Sequence, residues 1–130
     1  MPLYVVDSHA LLWYLSGSPQ LSAAARAALD EAAGGTSEAV VPAIVIAELI
    51  VLAEKRRGAI DLAPVLTALK TRPGFRLTAL TTQTVLRIQS LTALADIHDR
   101  LIVAEALELG ATVITRDRTI AASGLVPVVW

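Results

Sequence analysis

Short apolar runs rich in β-branched residues alternate along the chain with longer segments whose apolar positions recur every three or four residues. Leu3, Tyr4, Val5 and Val6 form the first run, and it stops at Asp7; an unbroken run of this length predicts a strand buried on both faces. His9 to Leu15 is helical in pattern and is broken by Gly17-Ser18-Pro19. Ser18 is expected to cap an alanine-rich helix, with Pro19 at its first position, that runs to about Ala33 and stops at Gly34-Gly35. Glu38 to Pro42 is the second strand. A helix from about Ala43 to Arg57 follows, because Ile44, Ala47, Ile50, Val51 and Glu54 fall at three- and four-residue spacing ahead of Gly58.

Leu62 to Thr71 is another helix, ended by Arg72-Pro73-Gly74, and Phe75 to Leu80 alternates as a strand does. Thr81 or Thr82 then caps a helix reaching about Leu94. Asp96 opens the next helix and Gly110 ends it. Ala111 to Thr115 is a strand, Thr119 to Ala122 a short helical turn, and Leu125 to Trp130 the last strand. Strands that alternate with helices predict a three-layer α/β/α domain around a largely parallel sheet of four to five strands. Its 130 residues suffice for one domain, residues 1–130, with no repeat or linker.

Composition changes this picture in one respect. The chain is 55% apolar and only 18% charged, against about 25% charged on average, which raises the question of a membrane. The longest apolar run, Ala39 to Ala47, contains Pro42 and falls far short of the roughly 20 residues that cross a bilayer. No Lys or Arg precedes Arg26, and Asp7 and His9 interrupt the place where a leader would be apolar, so a cytoplasmic protein is expected. With no cysteine there are no disulfides and no thiolate metal sites. A net charge of -1 gives no global positive field, so any nucleic-acid contact must be local.

Ligands of open α/β sheets bind beyond the carboxyl ends of the strands, which directs attention to the acids there. Asp7 follows the first strand directly, and Asp117 lies two residues beyond Thr115. Glu48 sits more than one turn into its helix among Ile44, Val45, Ile46, Leu49 and Ile50, where an ionised side chain is costly unless it is paired or metal-bound. Asp99 lies in the first turn of the helix that Asp96 opens. Plainer roles are open for each: Asp96 as N-cap and Asp99 as an acid complementing the helix dipole, Asp117 as a turn residue, Glu48 in a salt bridge to an arginine. If the acids converge, two carboxylates about 4 Å apart repel by roughly 4 kcal/mol at an effective dielectric of about 20. Something positive must then lie between them. Oxygen ligands, without cysteine or a zinc-like histidine pair, favour Mg²⁺ or Mn²⁺, and carboxylate cages of that kind serve phosphodiester chemistry.

The same residues carry a resemblance. Val5-Val6-Asp7-Ser8-His9-Ala10-Leu11-Leu12-Trp13 resembles the opening of PIN-domain toxins of the VapC type, in which an Asp-Thr-His-Ala-Leu-Leu-Trp-like run is common. Ala47-Glu48-Leu49 is similar to the family's helix with the second acid. Asp96-Ile97-His98-Asp99-Arg100-Leu101-Ile102-Val103-Ala104 resembles its Asp-Pro-Phe-Asp-Arg-Leu-Leu-Ile-Ala segment, and Val113-Ile114-Thr115-Arg116-Asp117 the strand and turn with the last acid. The resemblance spans the chain in order. It implies a PIN-like fold, a Mg²⁺- or Mn²⁺-dependent endoribonuclease, the toxin role of a type II toxin–antitoxin pair, a VapB-like antitoxin and a homodimer. It also implies that Asp7, Glu48, Asp99 and Asp117 are the catalytic and metal-binding acids. Ser8 stands where the family more often has Thr, and Ile97-His98 where it has Pro-Phe.

Cleavage by a metal-activated water is expected to leave 5′-phosphate and 3′-hydroxyl ends, with Glu48 completing the cage or orienting the water. Ser8, Arg100, Arg116 and Arg118 flank the acids as candidate substrate contacts, though for the arginines solvated surface charge or internal ion pairing is an equal reading. Lys55-Arg56-Arg57 ends a helix and suits its dipole. His9 and His98 read as structural or hydrogen-bonding residues. Two other readings are a PIN fold kept only as a binding module and, with a poorer fit to the acid positions, a phospho-acceptor receiver domain. The apolar excess beyond the core is expected to serve dimer and antitoxin surfaces, with Trp13, Tyr14 and the Ile44 to Leu52 helix as candidates.

Overall fold

The computed structural model describes residues 1–55 and 61–130. Five strands form a single parallel sheet: β1 (Leu3–Val6), β2 (Glu38–Pro42), β3 (Phe75–Thr78), β4 (Thr112–Ile114) and β5 (Val128–Val129), in the order β3-β2-β1-β4-β5. In β1, β2 and β4, Val5, Val6, Val40, Val41, Val113 and Ile114 are fully inaccessible, which is why these strands read as unbroken apolar runs.

Helices α1 (Ser8–Ser16) and α2 (Ala23–Ala33) connect β1 to β2, and α3 (Ala43–Lys55) and α4 (Leu62–Thr71) connect β2 to β3. Then α5 (Thr82–Arg87) and α6 (Ile97–Leu109) lead to β4, and α7 (Arg118–Ser123) leads to β5. Right-handed crossovers place the first four helices on one face of the sheet and the rest on the other, giving the expected three-layer α/β/α architecture. The chain runs outward from β1 through β2 to β3, then returns to β4 on the other side of β1. The order therefore reverses between β1 and β4, and the crevice beyond their carboxyl ends is the topological switch point. A receiver domain has the order β2-β1-β3-β4-β5, so this topology excludes that reading.

Local differences from the expected elements have identifiable causes. The alanine-rich helix begins at Ala23, not at Pro19, because Ser22 is the cap: its hydroxyl accepts from the Ala25 amide at 3.1 Å, while Ser18 and Pro19 form a turn. The helix expected to reach Leu94 stops at Arg87 and passes into a 3₁₀ turn over Ile88–Ser90. Arg100 holds that region, donating from Nε to the Leu94 carbonyl and from a terminal nitrogen to that of Ile88. The outer strands β3 and β5 are shorter than the alternation suggested. The expected helix end at Arg56, Arg57 and Gly58 lies outside the described residues.

Trp13 and Tyr14 do not form an apolar surface. Trp13 is buried in the core, while Tyr14 donates its hydroxyl to Asp30 at 2.8 Å and stacks on Phe75. In the Ile44 to Leu52 helix, by contrast, Ile50 and Val51 are exposed. No helix among the described residues is long and apolar enough to cross a membrane.

Candidate functional site

Asp7 leaves β1 at the switch point and caps α1. Its Oδ1 accepts the Ser8 amide at 2.7 Å, and its Oδ2 accepts the Thr115 hydroxyl at 2.7 Å. The same Thr115 oxygen accepts the Asp117 amide at 3.0 Å. Thr115, buried at the end of β4, thus ties the first acid to the last across the gap between β1 and β4. The role of Thr115 was missed in the sequence, because it depends on β4 lying beside β1.

Asp117 caps α7, accepting the Thr119 and Ile120 amides through Oδ1. Asp96 caps α6 in the same way through the His98 and Asp99 amides. The cap and turn readings of Asp96 and Asp117 are therefore correct as far as they go. Three helices begin at this edge of the sheet behind aspartate caps, and their positive N-terminal ends offset part of the negative charge gathered there.

Asp99 lies in the first turn of α6, half-buried, and accepts no hydrogen bond through its side chain among the described residues. Burial raises its pKa to about 7, with added repulsion from Asp117, Asp96, Asp7 and Glu48. The four acids named in the sequence are thus close enough for three of them to act on the fourth. Glu48, on α3, is also raised, first by burial and next by Asp7, while His98 and the Ser8 hydroxyl pull it down. No arginine pairs with Glu48 among the described residues; its nearest basic neighbour is His98, whose Nδ1 is 3.9 Å from Oε2. Glu48 Oε1 is buried with no hydrogen-bond partner.

The donor chemistry suits a hard divalent cation. All four groups are carboxylates, one buried oxygen is unpartnered, and repulsion among them has no lysine or arginine salt bridge to relieve it among the described residues. As placed, no three His, Asp or Glu side chains among the described residues form a closed ligand group. Mg²⁺ is compatible with such an open set, since it takes one or two carboxylates directly and keeps several waters.

The candidate substrate contacts separate. Ser8 is buried and its hydroxyl faces Asp7 at 3.3 Å, so it orients acids and does not reach solvent. Arg100 is committed to backbone carbonyls. Arg118, the first residue of α7, is exposed and lines a separate shallow cavity with Ala93, Ala122 and Ser123. Arg116 alone stands in the cavity with Asp7 and Asp117, its guanidinium 4.5 Å from the Trp13 ring centroid. Glu105 is a further raised acid away from this site: burial and the neighbouring Glu108 push it up, while the hydrogen bond from Thr78 and the charge of Arg76 pull it down.

Comparison with known protein families gives a match to the PIN domain over residues 4–123. The chain belongs to the PIN domain family. Compared by sequence with curated proteins, this PIN domain has no match. Among solved structures it resembles VapBC2 from Rickettsia felis, determined bound to a DNA fragment from its promoter, with TM-score 0.74 and 15% identity over 97% of this chain and 96% of that one. FitAcB from Neisseria gonorrhoeae gives TM-score 0.71 and 20% identity over 96% and 95%. A toxin–antitoxin complex from Klebsiella pneumoniae gives 0.69 and 21% over 97% and 95%. At such identities the likeness is one of fold, and it extends over nearly the full length of each chain.

Proposed function

We propose that this PIN domain is a metal-dependent endoribonuclease and the toxin of a type II toxin–antitoxin pair, cytoplasmic, dimeric and restrained by a VapB-like antitoxin. The observation that carries the reading is the convergence of the four acids: Asp7, Glu48 and Asp117 all act on Asp99, no lysine or arginine salt bridge offsets them among the described residues, and Glu48 Oε1 is buried without a partner, an arrangement that a bound cation stabilises. Toxin–antitoxin complexes among the structural neighbours support the partner.

In this reading Asp7, Asp99 and Asp117 hold Mg²⁺ or Mn²⁺, directly or through waters, and Glu48 completes the set. The ion, when bound, neutralises charge on the scissile phosphate and lowers the pKa of water. Thr115 fixes Asp7 and Asp117 relative to each other, and Ser8 turns its hydroxyl to Asp7. Glu48, partly desolvated, is suited to accept a proton from an attacking water. Without a catalytic histidine pair the 2′-hydroxyl need not be the nucleophile, and attack by water leaves 5′-phosphate and 3′-hydroxyl ends.

The test is cleavage of total RNA by wild type, Asp7→Asn and Asp99→Asn with Mg²⁺ or Mn²⁺ and with a chelator. Cleavage by wild type alone, abolished by the chelator, is the expected result. Equal cleavage by all three proteins removes the site. Silence of the wild type, freed of any antitoxin, leaves a PIN-fold binding module.

A further inference from the structure

Two cavities meet at His9. One, of about 160 Å³, is lined by Asp7, His9, Trp13, Arg116 and Asp117. The other, of about 290 Å³, has an apolar wall of Ala47, Val51 and Leu52, with Glu48 and His98 beside it and Lys55 at the last residue of α3. The acids therefore straddle the junction, Asp7 and Asp117 on one side and Glu48 on the other. His9 is exposed, and its ring lies 5.5 Å from that of Trp13, tilted by 52°. No hydrogen bond or ion pair engages the His9 ring among the described residues.

The two cavities differ in chemistry. Arg116 lies over the Trp13 ring, 4.5 Å from its centroid, and no carboxylate pairs with it among the described residues. A stacked guanidinium keeps its N–H edge open to a phosphate. In the second cavity Val51, 49% exposed, and Leu52 offer an apolar surface between two imidazoles, with a cation at the helix end. A ligand that crosses from one to the other must carry anionic groups toward Arg116 and Lys55 and flat apolar groups toward His9 and Val51. A single-stranded polynucleotide alternates those parts, and sequence-tolerant recognition of such strands combines stacking platforms with cationic ends.

We propose that His9 is the stacking platform for a nucleobase next to the scissile phosphate, and that the two cavities are the subsites flanking it. The Arg116 cavity takes a phosphate, and the Val51–Leu52 groove takes a base. This rests on the ribonuclease reading above. It also gives the histidine of the first motif a contact with substrate rather than with the protein interior.

The test measures binding of short fluorescein-labelled oligoadenylate and oligouridylate, with Mg²⁺, in a cleavage-deficient Asp7→Asn background. His9→Ala is expected to weaken oligoadenylate binding about tenfold and oligouridylate less, while His9→Phe stays within about twofold of the parent. Arg116→Ala is expected to reduce the slope of log affinity against log salt by about one without changing the preference between the two oligonucleotides. His9→Gln keeps polarity without the aromatic face and should behave as His9→Ala does, which separates stacking from hydrogen bonding. Unchanged binding in His9→Ala, or equal weakening in His9→Phe, overturns the platform.

Failure of this inference and failure of the nuclease reading are distinguishable. Wild type that cleaves with Mg²⁺ while His9→Ala has the same KM and kcat overturns the subsites alone. His9-dependent binding without cleavage by wild type upholds the stacking platform for a bound strand and removes the nuclease. Absence of binding to either oligonucleotide overturns the subsites and leaves the apolar groove to a protein segment.

Discussion

At the scale of single residues, the site depends on a threonine as well as on acids. Thr115 donates to Asp7 and accepts from the Asp117 amide in a buried position, so Thr115→Val leaves two groups without their partner. The expected cost is about 1–2 kcal/mol, read from urea denaturation, together with a raised Mg²⁺ requirement for cleavage. Thr115→Ser restores both; equal behaviour of the Val variant and wild type would show that the bridge is idle. Asp99 supplies a pH test. Its native pKa of about 7 exceeds the usual value of 3.8, so between those values the folded state binds more protons than the unfolded state and stability falls as pH rises. A shift of that size corresponds to roughly 4 kcal/mol at full strength, which solvent screening on the open side reduces to about 1–2 kcal/mol. In a chelator the melting temperature is therefore expected to drop between about pH 4 and 7 and then level off. Asp99→Asn flattens the drop, and saturating Mg²⁺ opposes it at the upper end; a chelated wild type equally stable at both ends would contradict the crowding of the acids.

Elements show what the sequence makes legible and what it hides. The inner strands were readable because β1, β2 and β4 are short unbroken apolar runs, each followed by a helix. The placement of Asp7 and Asp117 at one edge follows from parallel strands alone. The start of α2 was misplaced, since Pro19 after Ser18 favours that serine as the cap, whereas the hydroxyl that accepts from the helix is that of Ser22. The early end of α5 was not readable, being bound up with Arg100 reaching back from α6. Thr115, the Arg116 stack on Trp13 and the position of His9 between two cavities all depend on neighbours distant in sequence. Gly74 is a further contact of this kind. A Cβ there would lie 1.6 Å from the Ala32 carbonyl oxygen, where the end of α2 meets the turn before β3, and the Gly74 carbonyl accepts the Ala39 amide. Gly74→Ala is expected to destabilise the fold by about 3 kcal/mol, seen as a lower urea midpoint with an unchanged slope. A neutral result would mean that α2 shifts freely against the sheet.

For the whole molecule, the apolar excess divides between a covered sheet and the surface. The sheet and its helices account for most of the aliphatic content, but several large apolar side chains remain outside. Val85 and Leu86 on α5 and Leu107 on α6 are 40%, 58% and 37% exposed, and these helices pack on each other. On α3 the exposed large apolar residues are Ile50 and Val51, and Val51 borders the cavity next to Glu48. Only the α3 set borders the acids, so the α5–α6 face is the one predicted to meet a second copy of the chain. A stable dimer needs roughly 1,000 Å² or more of well-packed contact, centred on apolar side chains rather than on charges. Sedimentation at micromolar concentration is expected to show a dimer, and Leu86→Glu to convert it to a monomer with its melting behaviour otherwise retained, since an exposed position carries no core packing. Ile50→Glu should leave the dimer intact. If Ile50→Glu dissociates it and Leu86→Glu does not, the dimer instead uses α3, and it then competes with the groove beside Glu48 for the same surface.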